Sequence, residues 1–474
     1  MNTHLPIMLT ALTLSSSCGF AQSAYEISAD GHNLASTNQY EPTHSHTTHR
    51  GVGAVPFLLT PDQFVELRRQ IGGLKITDID NDGHNDLVAV CYQSNSFPPY
   101  KDWHDMIFFG DGSGINTAPG WISDLQTHTG DVQVGDIDNN GYQDIVTIHG
   151  GLRRDSVRVY FGSVSGTPTA PGYTSNTLNS TWATAGVLAD MDQDNDLDLV
   201  TTNQGVSPNP NRPILMFDNT GSTLTTASTW QSSDESIQNG IAAQDITGDG
   251  YPDLAVAKWV NHDSGLYLNT TGTPETTQSV TASKSDTDKG VAFTDLQGDG
   301  TIDIAFGGDP TRLYEWTEGA LNPVYASNPP FAGPQEIMFI DVDQDGDDDL
   351  AEIHFSDGRA HIYLNRDGTL DTEPTWTFDA SEVGTAMAFG DLNGDNRPDL
   401  ALGYSGNTCI RIFFAQAPAC PADLTNDGEL DFFDVSAFLD AFAIQDPAAD
   451  YTSDGEYDFF DVSAFLDFFA TGCP

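Results

Sequence analysis

The sequence predicts a mainly β chain: a seven-bladed β-propeller with metal-binding hairpin loops, followed by a small α-helical C-terminal domain. Three observations predict it. An acidic nine-residue pattern occurs seven times. The apolar residues before each copy alternate with period two, as in half-buried strands. After Cys420 the pattern gives way to a duplicated loop followed by helical periodicity. Subtracting the positions of successive first aspartates gives separations of 58, 54, 55, 50, 46 and 50 residues. A period of roughly 50 residues carried by short strands signals a repeat array.

Taken in chain order, residues 1–21 read as a secretory signal. An apolar run, Leu5-Pro-Ile-Met-Leu-Thr-Ala-Leu-Thr-Leu14, leads to small residues ending at Ala21. Residues 22–54 read as a low-complexity polar linker, and its His44, His46 and His49 leave a transition-metal site as the alternative. No later segment is long and apolar enough to span a membrane. These features predict a secreted, extracellular or cell-surface-associated monomer. Four cysteines follow the leader: Cys91, Cys409, Cys420 and Cys473. An even count in a secreted chain permits disulfide bonds. Cys420 and Cys473 bracket the last segment, while Cys91 and Cys409 are either bonded across a closing ring or two buried thiols.

Residues 55–417 hold the repeats. An alternating pair enters each acidic loop, for example Leu74 and Ile76, Val132 and Val134, or Met387 and Phe389. A second strand leaves it, as in Leu87-Val-Ala-Val90 and Ile145-Val-Thr-Ile148; its small and β-branched residues suit packing near a ring axis. A third strand ends in an aromatic, as in Val159-Tyr-Phe161 and Ile412-Phe-Phe414, and a polar fourth segment completes the unit. The seventh repeat lacks a fourth strand, and residues Val55 to Leu67 have no repeat of their own. That N-terminal segment is therefore expected to supply the missing outer strand and close the ring. Trp121, Trp230 and Trp376 each stand 15 residues before their loop's first aspartate; they read as packing between blades or as stacking platforms for sugar rings.

The loops themselves carry the chemistry. In the first, Asp78, Asp80, Asp82 and Asp86 occupy positions 1, 3, 5 and 9. Short oxygen side chains at those positions, joined by the carbonyl at position 7, make an all-oxygen cage for a hard cation, most consistent with Ca²⁺. Uncompensated carboxylates at that spacing repel: one pair at about 4 Å costs roughly 4 kcal/mol at an effective dielectric near 20. Without a cation such a loop should splay. The same positions hold Asp136, Asp138, Asn140 and Asp144; Asp190, Asp192, Asp194 and Asp198; and Asp245, Thr247, Asp249 and Asp253. They hold Asp295, Gln297, Asp299 and Asp303; Asp341, Asp343, Asp345 and Asp349; and Asp391, Asn393, Asp395 and Asp399. Thr247 and Gln297 are weaker neutral donors, so the first, third and sixth loops should bind most tightly. Asn195 and Asn396 replace the glycine of the turn, and asparagine is the next best residue for a left-handed backbone.

Acidic residues exceed basic ones by 69 to 17, for a net charge of −52. That balance argues against nucleic acid and anionic membranes as partners. Many of the aspartates stand at ligand spacing, so cation binding accounts for the excess better than a merely solvated surface does.

The motif Asp-x-Asp-x-Asp-Gly-x-x-Asp-Leu/Ile, with Phe109-Gly-Asp-Gly-Ser-Gly114, resembles the FG-GAP/VCBS repeats of integrin-alpha-like propellers. The resemblance implies up to seven calcium ions in hairpin loops on one face. It does not imply one function, since relatives include adhesion heads, lectins and polysaccharide lyases.

Residues 418–474 follow a different grammar. Asp423, Thr425, Asp427, Asp431 and Asp434 stand at positions 1, 3, 5, 9 and 12 of a loop with Gly428 at position 6, which is EF-hand spacing with Asp at the last position. Val435, Phe438, Leu439 and Phe442 then repeat at helical spacing. The unit recurs 27 residues later with Asp450, Thr452, Asp454, Asp458 and Asp461. The duplicated loop-helix resembles a GC-type dockerin-like domain, which implies two more calcium ions and a cohesin-like or surface partner. Phe432-Phe433 and Phe459-Phe460 stand where cellulosomal dockerins carry small polar residues. They form either the module's own core or an exposed anchor.

No catalytic motif is present: there is no His-Glu-x-x-His and no Gly-x-Ser-x-Gly. Lys101-Asp-Trp-His-Asp105, with Arg153 and Arg154, reads as a surface loop with a pocket as the alternative. The expected function is a calcium-binding module for an extracellular glycan or protein ligand. The alternative is a polysaccharide lyase or glycoside hydrolase, or a non-catalytic part of a polysaccharide-degrading complex.

Overall fold

The computed structural model describes residues 55–92, 104–126, 128–150, 156–176, 181–205, 212–259, 262–282, 288–328, 333–416, 422–425, 430–446, 449–452 and 456–472. The expected leader and linker, the three histidines at 44, 46 and 49, Cys420, Cys473, Asp427, Asp454, Lys101, Arg153 and Arg154 lie outside the described residues.

The strands form antiparallel meanders of four. The first segment, β1 (Gln63–Val65), is followed by β2 (Arg69–Thr77), β3 (Asp86–Cys91), β4 (Met106–Phe108) and β5 (Trp121–Ile122). Next come β6 (Thr129–Gly135), β7 (Asp144–His149), β8 (Val157–Tyr160) and β9 (Tyr173–Thr174), then β10 (Thr181–Ala189), β11 (Asp198–Gly205), β12 (Leu215–Phe217) and β13 (Trp230–Gln231). The fourth group is β14 (Ile237–Gln244), β15 (Asp253–Trp259), β16 (Gly265–Tyr267) and β17 (Val280–Thr281). The fifth is β18 (Gly290–Thr294), β19 (Asp303–Gly307), β20 (Arg312–Thr317) and β21 (Ala320–Ala326). The sixth is β22 (Pro334–Ile340), β23 (Asp349–His354), β24 (Arg359–Tyr363) and β25 (Trp376–Asp379). The last three strands are β26 (Val383–Gly390), β27 (Asp399–Gly406) and β28 (Ile410–Phe413).

Five groups are separate four-stranded sheets. The remaining strands form one eight-stranded sheet, because Arg69 and Gln70 of β2 pair with Gly406 and Ser405 of β27. The expected outer strand is supplied by the N-terminal segment: β1 pairs antiparallel with β28, Gln63 opposite Ile412. Upstream, Phe57 packs edge-on to Trp376, whose indole N–H donates to the Phe57 carbonyl at 3.1 Å.

The loop-entering strands contact one another in the order β2, β6, β10, β14, β18, β22, β26 and back to β2. They are the innermost strands, which corrects the expectation that the leaving strands approach the axis. The reason lies in the backbone: a Cβ on Gly72 would stand 2.1 Å from the Thr129 carbonyl oxygen, and one on Gly240 2.3 Å from that of Lys289. Only glycine permits neighbouring inner strands to come so close. The leaving strands are instead covered on both faces, which explains their continuous apolar runs; all six residues of β3 and of β7 are buried.

The apolar cores lie between sheets rather than within them. One unites Val88, Val90 and Trp121 with Val132, Ile145 and Tyr160 of the next group. Another joins Leu74, Ala89 and Cys91 to Ala388, Ala401 and Ile412 across the junction of the first and last groups. Trp121, Trp230 and Trp376 are 7%, 7% and 6% exposed in such cores, so they pack blades together and are not sugar platforms. Cys91 and Cys409 are buried in the same junction core as free thiols, and burial raises the pKa of both.

The C-terminal residues form α1 (Phe432–Ala443) and α2 (Phe459–Thr471). Phe438 and Phe465 stack at 4.2 Å between centroids in a small core with Ala422 and Ala449. Leu439 and Leu466, expected on the apolar face, are 55% and 49% exposed. The paired phenylalanines 432, 433, 459 and 460 are 76%, 65%, 75% and 65% exposed. They take no part in the core, which corrects the reading of them as the module's own core.

Candidate metal centre

All seven loops share one backbone geometry. The carboxylate at position 1 accepts the N–H groups of positions 5 and 6. Asp78 takes those of Asp82 and Gly83 at 3.0 and 2.9 Å, and Asp341 those of Asp345 and Gly346 at 3.0 Å each. The turn needs a left-handed residue at position 6, met by Gly83 (φ 93°) and, as expected, by Asn195 (φ 69°) and Asn396 (φ 63°). Position 4 is left-handed as well, as in Asn81 (φ 60°), Asn139 (φ 57°) and Gly248 (φ 75°). The signal in the sequence is the run of Asn, Gln and Gly at that position.

The ninth residue does more than its ligand spacing implied. One oxygen of Asp86, Asp144, Asp198, Asp253, Asp303, Asp349 and Asp399 accepts the N–H of position 2, as from Ile79 at 2.9 Å and Val342 at 3.0 Å. In six of these the other oxygen accepts the N–H at the exit of the third strand: Gly110, Gly162, Asn219, Asn269, Asn365 or Ala415. In the fifth repeat β20 runs on through Thr317, and the second oxygen of Asp303 has no partner. The ninth aspartate therefore ties the loop to the blade. The asparagines at that exit add a second tie. Asn219, Asn269 and Asn365 each donate from Nδ2 to the position-2 carbonyl of the preceding repeat, Ile137, Met191 and Leu296, at 2.7 to 2.9 Å.

Four loops bring three carboxylates within 4.8 Å of one another: Asp78, Asp80 and Asp86; Asp136, Asp138 and Asp144; Asp190, Asp192 and Asp194; Asp341, Asp343 and Asp349. The second loop joins the three expected to be strongest. Among the described residues the fourth, fifth and seventh loops form no such group, because Thr247, Gln297 and Asn393 replace the acid at position 3.

The sixth loop is the most deeply placed. Burial raises the pKa of Asp341 to about 7, Asp343 to about 6 and Asp349 to about 9, with neighbouring carboxylates adding to it. Burial likewise lifts Asp86 to about 7 and Asp144 and Asp198 to about 8. Both side-chain oxygens of Asp343 are buried without a hydrogen bond of good geometry, and only the Asp345 N–H and the Arg366 charge offset their burial. A buried carboxylate left so is costly unless something positive faces it. The donor set is all oxygen, hard and anionic, which fits Ca²⁺ better than a softer transition metal.

In the C-terminal module the expected ligands also cap the helices. Asp431 is the N-cap of α1 and accepts the Phe433 N–H at 2.7 Å. Asp434 accepts from the N–H groups of Thr425 and Asp431 and from the Thr425 hydroxyl. Asp458, Asp461 and Thr452 repeat the arrangement at α2. The Asp431 N–H holds the Asp434 carboxyl below the usual range. Asp105, from the segment read as a surface loop, is fully buried and accepts the Cys91 N–H, and burial lifts its pKa to about 7.

The FG-GAP-like repeat family matches residues 78–147, 245–306 and 309–402, and the chain carries such repeats. Among solved structures, the chain is similar to one chain of the crystal structure of BBS1N in complex with ARL6DN, soaked with mercury, a β-propeller neighbour. The two are 13% identical with a TM-score of 0.51, over 77% of this chain and 98% of that one. At that identity the likeness shows the fold alone. No curated protein matches the chain.

Proposed function

We propose, from the premise of FG-GAP-like repeats on a propeller-like fold, that this is a secreted, calcium-stabilised seven-bladed β-propeller that binds an extracellular glycan or protein. The cyclic contact of the seven inner strands supports the closed ring. The observation that carries the calcium reading is Asp343, a buried carboxylate without a hydrogen bond of good geometry, beside Asp341 and Asp349. In this reading the ions hold the tips of the hairpins and leave the opposite face for a ligand. Asp78, Asp80 and Asp86 in the first loop, Asp136, Asp138 and Asp144 in the second, Asp190, Asp192 and Asp194 in the third, and Asp341, Asp343 and Asp349 in the sixth would hold them. The loop-helix pair forms a dockerin-like docking module, with Phe432-Phe433 and Phe459-Phe460 as its apolar anchors.

A glycan and matrix-protein array, probed with the calcium-loaded full chain, tests the binding reading, and a product assay on the bound polysaccharides tests the enzyme alternative. Binding without new reducing or unsaturated ends is the expected result. Turnover would move the protein to the polysaccharide-degrading enzymes, and absence of any ligand would contradict a binding role.

A further inference from the structure

Among the described residues, several of the chain's scarce cations stand at the strand ends opposite the acidic loops. The chain has 17 basic residues against 69 acidic ones. Arg158, Lys258, Arg312, Arg359 and Arg411 all lie where a strand either leaves or approaches that far face. Several are committed to carboxylates: Lys258 pairs with Asp234 at 3.1 Å, Arg411 with Glu382 at 2.8 Å and Arg359 with Asp379 at 3.4 Å.

Lys289 is placed differently. It directly precedes the inner strand β18, at the same face. Its ammonium stands 5.0 Å from the centroid of the Phe355 ring and 5.9 Å from that of Trp259. Trp259 ends β15 and Phe355 follows β23, so three neighbouring repeats converge on this one charge. Its side-chain hydrogen bond goes to the neutral Gln335 Oε1 at 3.3 Å, and among the described residues no carboxylate pairs with it. In a chain of net charge −52, a half-buried lysine faced by two aromatic rings and an amide has the chemistry to receive an anion. The Phe355 ring remains 37% exposed beside it, and Trp259 is partly exposed.

We propose that Lys289, Trp259, Phe355 and Gln335 form a site for an acidic sugar residue, whose carboxylate pairs with the Lys289 ammonium while the apolar face of its ring lies on the aromatics. The chemistry follows from the parts. A carboxylate meets the ammonium in a charge-assisted hydrogen bond. Aromatic rings offer the C–H face of a pyranose a flat apolar surface, and the Gln335 amide can serve a hydroxyl. The site rests on the reading of the propeller as a glycan-binding module, and it names the ligand class.

Titration calorimetry of the calcium-loaded full chain tests it with three probes of matched length: galacturonate oligosaccharides, neutral galactose oligosaccharides and sulfated galactose oligosaccharides. The uronate should bind most tightly. Lys289→Met and Phe355→Ala should each weaken it by about tenfold or more, and Lys289→Arg should retain much of the binding. Melting temperatures of the variants, measured alongside, should stay near that of the parent for Phe355→Ala, since its ring is partly exposed. Equal binding of neutral and acidic probes, or a preference for sulfate, overturns the assignment. So does uronate binding that survives both Lys289→Met and Phe355→Ala, although the glycan-binding reading would then stand. Absence of binding by all three probes, with positives elsewhere on the glycan array, likewise removes this site alone; absence on the whole array removes both.

Discussion

Chelating calcium is expected to lower the melting temperature by about 10 °C at pH 8 and by much less at pH 5. With free calcium at about 100 times its dissociation constant, one occupied loop adds about 2.7 kcal/mol, so four loops add roughly 10 kcal/mol. A repeat body of this size converts that into about 10 °C or somewhat more. The pH dependence follows from the buried aspartates. Burial raises Asp349 to about 9, Asp144 and Asp198 to about 8, and Asp86 and Asp341 to about 7, well above the ordinary carboxyl range of about 4. The folded, chelated chain therefore holds more protons than the unfolded chain from about pH 4 to about pH 9. Its stability is fullest at the acid end of that window and falls as pH rises through it. Calcium takes the place of those protons, so its effect grows with pH. Scanning calorimetry at the two pH values, with and without chelator, measures this. A chelated protein that gains stability between pH 5 and pH 8 would contradict it.

Asp349→Ala and Asp343→Ala are expected to separate structural bracing from metal binding within one loop. Asp349 accepts the N–H groups of Val342 and Asn365 at 3.0 and 2.7 Å, and it is fully buried. Its removal orphans two buried donors, each worth about 1–3 kcal/mol, so a loss of about 3–5 kcal/mol is expected in chelator, to which the lost calcium of that loop adds when calcium is present. Asp343 accepts no hydrogen bond of good geometry; the Asp345 N–H is its nearest donor. Its removal should cost little in chelator and should abolish most of the calcium-dependent gain from that loop. Denaturant unfolding of the two variants in calcium and in chelator gives the comparison. Equal losses in chelator would show that Asp343 braces the loop and is not primarily a ligand.

Much of the fold was legible because its determinants are local. The nine-residue pattern, the glycine or asparagine of the turn and the alternating pair before it all lie within one hairpin, and each took the form that its spacing implied. The N-terminal strand was legible from a count: the seventh repeat lacked a strand, and residues 55–67 lacked a repeat. What the sequence did not disclose depends on distant partners. Asp86 bonds Gly110, and Asn219 bonds Ile137 of the preceding repeat, contacts that no local period records. The innermost strand was misassigned because a buried apolar run looks the same at the axis as inside a blade; Gly72 and Gly240 held the missing clue. In the C-terminal module, helical spacing put Leu439 beside Phe438 on one face. Two short helices can cover only a narrow stripe, and among the described apolar side chains of the two helices only Phe438 and Phe465 are buried to 1%. The Phe432-Phe433 pair was ambiguous for the same reason.

The central claim is that carboxylates crowded at the hairpin tips of a closed ring are held together by divalent ions. Crystals of the full chain grown in calcium, measured for anomalous scattering, test it most directly. Calcium peaks are expected in the first, second, third and sixth loops, about 2.3–2.6 Å from oxygens at positions 1 and 3, with the strongest beside Asp343. Tips without peaks at saturating calcium, their carboxylates turned apart into solvent, would contradict it.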